Sequence, residues 1–366
     1  VGLRPTPHEL FEKSSTKTLS KSCVRTILEL ISVWGDRMPW ALILTVSWIV
    51  SFFLHIFIHE VGHLIGGLIS GYKLVSFRLG SFTLARQDGK LRWKRYSLGD
   101  TGGQCLMSPP EVANEEEYKF PFMLYNLGGS FANFDSAIIA LIIAVFTTGY
   151  ISMIFASFGV MGIACGLINI IPMKLGGIAN DGLNALNFRE SADIRRAIWI
   201  QLKYAEMVTQ GIRAREIPED WVTDIETPID PITGFLPCLR FDYLCDRGEY
   251  EQAREYAEEI LRNPGKMMVL HRNELRCSIL FFELVGECNK GTVERMYTKK
   301  LQKHMKLYKT LPSTMRVKYA YEKYYKRDDE KAKKALAAFE KACLQSPFPG
   351  AMISEREMID TISIFK

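Results

Sequence analysis

From Trp40 to Ile69 the sequence is apolar almost without a break, and the only ionisable side chains among these thirty residues are His55, His59, Glu60 and His63. A helix of that length would reach about 45 Å, more than the roughly 30 Å hydrocarbon core of a bilayer. The segment must tilt, break in two, or run on past the membrane surface. Its ionisable groups fall in its second half, so any chemistry they carry lies towards one leaflet. Two further apolar stretches, Phe120 to Phe146 and Tyr150 to Ile171, are separated only by Thr147, Thr148 and Gly149. Spans joined so tightly must form a helical hairpin. The expected fold is mainly α: three transmembrane helices, or four if Trp40–Ile69 folds as two segments.

A mean hydropathy of zero hides a sharp division. Residues 38–182 read as a membrane-embedded core, and 183–366, rich in Lys, Arg, Glu and Asp, as a soluble helical domain. Residues 1–37 read as a polar segment without a cleavable signal peptide, ending in an interfacial helix over 22–35. Between the first and second spans, 72–100 alternates in the manner of strands, and Gln87-Asp88-Gly89 makes a good hairpin turn. In the C-terminal half, Arg247-Gly-Glu-Tyr-Glu-Gln-Ala253 with Ala257 and Pro264 has the small-residue spacing of a tetratricopeptide-like helix pair, echoed more weakly over 328–339. His271 and His304 lie in charged helical sequence and read as surface residues.

Charge and cysteines narrow the setting. A net charge of +5 is too mild to imply nucleic acid, and in a membrane protein such an excess sets orientation. The basic 72–119 loop and the basic C-terminal half are expected in the cytoplasm, with 147–149 on the opposite side. Three spans would then put the N-terminus outside, although residues 1–37 carry six basic side chains. The eight cysteines form no C-x-x-C pair, which suits a reducing compartment better than a disulfide framework.

The chemistry centres on His59-Glu60-Val61-Gly62-His63. Helical residues four apart share a face, so both imidazoles can bind one zinc ion, with Glu60 beside them to take a proton from a zinc-bound water. Ionisable groups inside an apolar span are costly and usually mark function. The expected third ligand is Asp181, at the end of the third apolar stretch. Read alone, Asp181-Gly182 is equally a turn, but its place at the membrane boundary on the side of His63 favours ligation. Two histidines and a carboxylate leave a coordination position open, as a catalytic zinc requires. His55, one turn before His59, suits a supporting role better than ligation.

These motifs resemble the site-2-protease (M50) family of intramembrane zinc metalloproteases. The resemblance rests on His59–His63, then Gly129-Ser-Phe-Ala-Asn133, then Asn169–Pro172 with Asp181-Gly182, in that order over about residues 40–182. It implies a zinc metalloendopeptidase in a multi-pass bacterial cell membrane, with a membrane-associated hairpin near 72–100. It also implies that Asn133 binds the substrate backbone or an oxyanion. Relatives cleave anti-sigma factors, membrane-bound transcription factors, signal-peptide remnants or pheromone precursors, so the expected substrate is a membrane-spanning or membrane-associated polypeptide. The family spaces its proline and aspartate more closely than the eight residues found here, and no accessory PDZ or CBS module is recognisable. Asp135, on nearly the opposite helix face from Asn133, is not called for by this scheme; it could pair with another polar residue or assist proton movement. The competing expectation is a non-catalytic membrane adaptor or peptide-export component working through 183–366, which could dock a cytosolic partner. An intact Glu60 speaks against it, since holding zinc needs no general base.

Overall fold

A computed structural model of the chain describes residues 39–96, 102–112, 117–175, 178–223, 225 and 227–360. The interfacial helix expected over 22–35 lies outside them. Helix α1 runs from Pro39 to Ile69 as one unbroken element of 31 residues, so the option of two shorter segments is not taken. Proline suits its first position, where a backbone N–H would have no intrahelical partner. Helices α2 (Phe122–Val145) and α3 (Gly149–Ile170) follow the second and third apolar stretches closely. All three are long and apolar enough to cross a membrane, and most of their surface is not buried by protein. Leu42, Phe53, Ile69, Val145 and Phe146 are each more than half exposed, which is a cost in water and none in lipid.

The described residues fall into two compact units. The first comprises 39–54 and 136–163, the far halves of the spanning helices. Within it the α2–α3 turn is closed by Ser152 Oγ donating to the Ala144 carbonyl at 2.7 Å. Trp40 and Tyr150 bring their ring centroids to 4.2 Å.

The second unit comprises 55–135 and 164 onward, and contains everything needed for the candidate site. Its sheet has strands β1 (Lys73–Leu79), β2 (Phe82–Gln87), β3 (Lys90–Arg95) and β4 (Gly103–Ser108) in the antiparallel order β3-β2-β1-β4. The β2–β3 turn falls at Asp88-Gly89, both with positive φ (51° and 72°), as a tight two-residue hairpin demands. β4 is an addition to the expected hairpin. Gly-Gln-Cys-Leu-Met-Ser alternates too weakly to read as a strand, and pairing with β1 is what makes it one.

Helices α4 (Asp181–Glu190), α5 (Ala192–Thr209), α6 (Phe235–Asp246), α7 (Tyr250–Arg262), α8 (Val269–Val285), α9 (Lys290–Met296), α10 (Lys299–Leu307), α11 (Pro312–Ala320), α12 (Asp329–Gln345) and α13 (Pro349–Asp360) complete the unit. The hydrophobic core does not stop at residue 182. Tyr72, Met107, Phe122 and Tyr125 share one cluster with Phe188, Ile198, Trp199 and Leu239. Farther on, Ala253 and Ala257 are fully buried on α7, where their small side chains let the neighbouring helices approach.

His271 and His304 are not surface residues. His304 is buried, and its Nε2 lies 2.6 Å from Glu274 Oε1 on α8. His271 is partly buried, and that burial holds its imidazole down at about 4. Both belong to the packing around α8, the central helix of this region, which touches α7, α9, α10 and α11. Charged neighbours in sequence concealed that position. The described cysteines all carry free thiols.

Candidate metal centre

One helical turn separates His59 and His63, and their rings converge as the spacing dictates, with the Nε2 atoms 3.1 Å apart. Asp181 Oδ2 lies 3.0 Å from His59 Nε2 and 3.6 Å from His63 Nε2. Ligands at 2.0–2.2 Å from a tetrahedral zinc are separated by about 3.3 Å, so the three atoms have suitable spacing.

The hydrogen bonds around these residues indicate what they can accept. His63 Nδ1 sits 2.8 Å from the Tyr125 carbonyl, which can only accept, so in the neutral ring Nδ1 carries the proton and Nε2 presents a lone pair. Asp181 Oδ2 is buried and has no hydrogen-bond donor. A carboxylate oxygen and an imidazole lone pair facing each other repel unless a proton or a cation lies between them. The donor set therefore fits a metal ion, and among the described residues these three form such a group.

The surroundings explain why other parts of the motifs are needed. Glycine at 129 gives His59 its room: a Cβ there would stand 2.6 Å from the imidazole ring. α1 and α2 cross backbone to backbone at Gly62 and Gly128, where either Cβ would meet the opposite carbonyl at under 2.5 Å. Glu60, also buried, points at β4: a Cβ on Gly103 would meet its Oε1 at 2.5 Å, and the Cys105 amide hydrogen-bonds the carboxylate. Sequence reasoning did not find this contact, because β4 was not recognisable as a strand.

Asp181 is held by Asn180, which serves two helices. Its Oδ1 caps α4 by accepting from Leu183 N at 3.0 Å, while its Nδ2 donates to the Ile168 and Ile171 carbonyls at the end of α3, both at 2.6 Å. Among the eight residues after Pro172, β5 (Lys174–Leu175) pairs antiparallel with β6 (Ile178–Ala179). Asn180 N donates to the Met173 carbonyl at 3.1 Å, and Met173 N donates to Asn180 Oδ1 at 3.1 Å, closing the base of the pair. Asn126 Nδ2 adds a bond to the Asp181 carbonyl at 2.6 Å. Asn169, by contrast, donates to Cys165 O in its own helix.

Asn133 is wholly buried between His55 and His59. Its Oδ1 lies 3.1 Å from His55 Nδ1 and its Nδ2 lies 3.3 Å from His59 Nδ1. For His59 to bind a metal through Nε2, Nδ1 must carry the proton and its partner must accept. A half-turn of the Asn133 amide meets that need: Oδ1 then accepts from His59 and Nδ2 donates to His55. His55 thus contacts Asn133 and is not part of the His59, His63 and Asp181 group. Asp135 is exposed on α2, without a hydrogen-bond partner among the described residues.

Comparisons with protein-family models, with curated proteins and with solved structures give no match to this chain. The chemistry is therefore inferred from the residues and their geometry.

If Asn133 orients His59, Asn133→Leu should weaken zinc binding about 10- to 100-fold, the usual effect of losing a partner behind a histidine ligand. Competition with a chromophoric chelator measures it. Unchanged zinc affinity with a raised KM would instead put Asn133 on the substrate.

Proposed function

We propose that the protein is an intramembrane zinc metalloprotease of the site-2-protease type, cleaving a peptide bond of a membrane-associated protein or peptide precursor. The observation that carries this is the convergence of His59, His63 and Asp181, with Asp181 Oδ2 at 3.0 and 3.6 Å from the two imidazole Nε2 atoms, beside a buried Glu60 on an apolar helix. Zinc, when bound, supplies the Lewis acidity that makes water nucleophilic near neutral pH. His59 and His63 hold it from one helix face, and Asp181 brings one negative charge from the start of α4. Glu60, steadied by the Cys105 amide on β4 and near enough to His63 and Asp181 to interact with both, would take the proton from water and deliver it to the leaving amine. Asn133, through His59, fixes the direction of one ligand. The helical region 183–366 serves in this scheme as a docking module for a substrate tail or a cytosolic partner.

The test is a zinc determination on purified protein coupled to cleavage of membrane-inserted candidate substrates, with Glu60→Gln cells used to trap the substrate. A protein that binds zinc but never cleaves would favour the adaptor reading.

The proposed topology places 72–119 and 183–366 in the cytoplasm and 147–149 opposite, on the excess of Lys and Arg. In a variant freed of native cysteines, Thr148→Cys is expected to react with an impermeant maleimide added from outside. Reaction only after the cytoplasmic face is opened would invert that assignment.

A further inference from the structure

Helices α7 to α10 line a half-open cavity of about 800 Å³ that plays no part in the site described above. Five cationic side chains line it: Arg254, Arg262, Arg276, Arg295 and Lys300. One acidic residue, Glu258, stands among them and pairs with Arg254 at 3.2 Å. Arg254 also reaches Glu283 at 3.6 Å. The other four have no carboxylate partner among the described residues. Arg276 donates to Asn273 Oδ1 and Arg295 to Thr292 Oγ1, at 3.0 and 3.1 Å, so both guanidinium groups are steadied by neutral partners and keep their charge for another ligand.

Beneath this charge the cavity is aliphatic. Leu261, Ile279, Met296 and Leu301 contribute to its lining, and no aromatic ring does. That combination discriminates among anionic ligands. Single-stranded nucleic acid is gripped by stacking bases on aromatic side chains, and none is available here. Inorganic phosphate would satisfy the cations and leave the aliphatic floor unused, and an anionic lipid would have to leave its bilayer to bring an acyl chain to that floor. A polypeptide with Asp or Glu flanking a Leu, Ile or Met uses both, the apolar side chain filling the floor and the carboxylates meeting the rim. The helix register supports a built surface: Arg254, Glu258 and Leu261 share one face of α7, and Asn273, Arg276 and Ile279 share one face of α8.

We infer that the α7–α10 cavity is a docking site for an acidic peptide segment carrying an aliphatic anchor, contributed by another polypeptide. The inference does not depend on the metal centre.

The full chain in detergent micelles, titrated against a fluorescent peptide of Asp, Glu and Leu, tests it by anisotropy. Parallel titrations use the same peptide with Leu replaced by Ser, its Lys-for-acid counterpart, a single-stranded RNA and vesicles containing anionic lipid. Saturable binding of the acidic Leu peptide is expected, weakened at least tenfold by the double substitution Arg262→Glu and Lys300→Glu. Both residues are exposed, and circular dichroism verifies folding. Arg276→Glu is a second variant expected to act in the same direction, and loss of the Leu should also weaken binding. The inference is overturned if the acidic peptide fails to bind at millimolar concentration, or if charge reversal leaves its affinity unchanged. Tighter binding of the RNA, the vesicles or the basic peptide also overturns it.

Discussion

Glu60→Gln is expected to keep about one zinc ion per chain and to lose nearly all hydrolysis. Glutamine has the size of glutamate and can still occupy the buried recess beside Gly103 and Cys105, so the proposed ligands His59, His63 and Asp181 are not disturbed. What disappears is the proton acceptor, and positioned acid–base groups typically contribute about 10²- to 10⁴-fold to rate. Metal content by mass spectrometry and single-turnover cleavage of a membrane-inserted substrate measure the two quantities on one preparation. Full turnover by the amide variant would end the protease assignment. Loss of zinc would instead show that Glu60 helps to hold the metal.

Asp181→Ala should have the opposite signature, an intact fold with no metal. Two imidazoles on one helix turn remain, and removal of the only anionic ligand leaves a site too weak to retain zinc through dialysis against a chelator. The fold should survive, because Asn180 rather than the Asp181 carboxylate joins α3 to α4. Among the described residues the Asp181 carboxylate faces His59 and His63, at 3.0 and 3.6 Å, so its removal breaks no bond that joins α3 to α4. Zinc at 100 times its Kd would raise the stability of the parent by about 2.7 kcal/mol. Thermal melting with and without zinc should show that rise in the parent and none in Asp181→Ala. A variant that melts far below the metal-free parent would reveal a structural carboxylate rather than a ligand.

The parts legible in the sequence are those governed by short-range periodicity. Three apolar runs gave α1, α2 and α3 with their ends displaced by only a few residues, because helix length and side-chain apolarity are local properties. His59 and His63 met because four residues make one turn. Asp181 was placed from its position at the end of a span, although nothing local distinguishes it from a turn residue. Three features stayed hidden for one shared reason: each depends on a partner distant in sequence. β4 is a strand because β1 lies beside it. His304 is buried because Glu274 is thirty residues away in sequence but 2.6 Å away in space. The packing of Phe188, Ile198 and Trp199 with Tyr72 and Met107 could not be read from composition, which changes character near residue 183 while the core continues.

The hairpin between Pro172 and Asp181 has a practical consequence. Its base is latched by the paired bonds between Met173 and Asn180, and the anchoring of Asp181 begins at the latch rather than at the tip. Length added beyond a latched base is a matter of loop-closure entropy, about 0.6 kcal/mol for each doubling. A short affinity tag or a fluorophore-bearing insertion between Leu175 and Ile178 should therefore report on the protein from a few residues away while the carboxylate keeps its place.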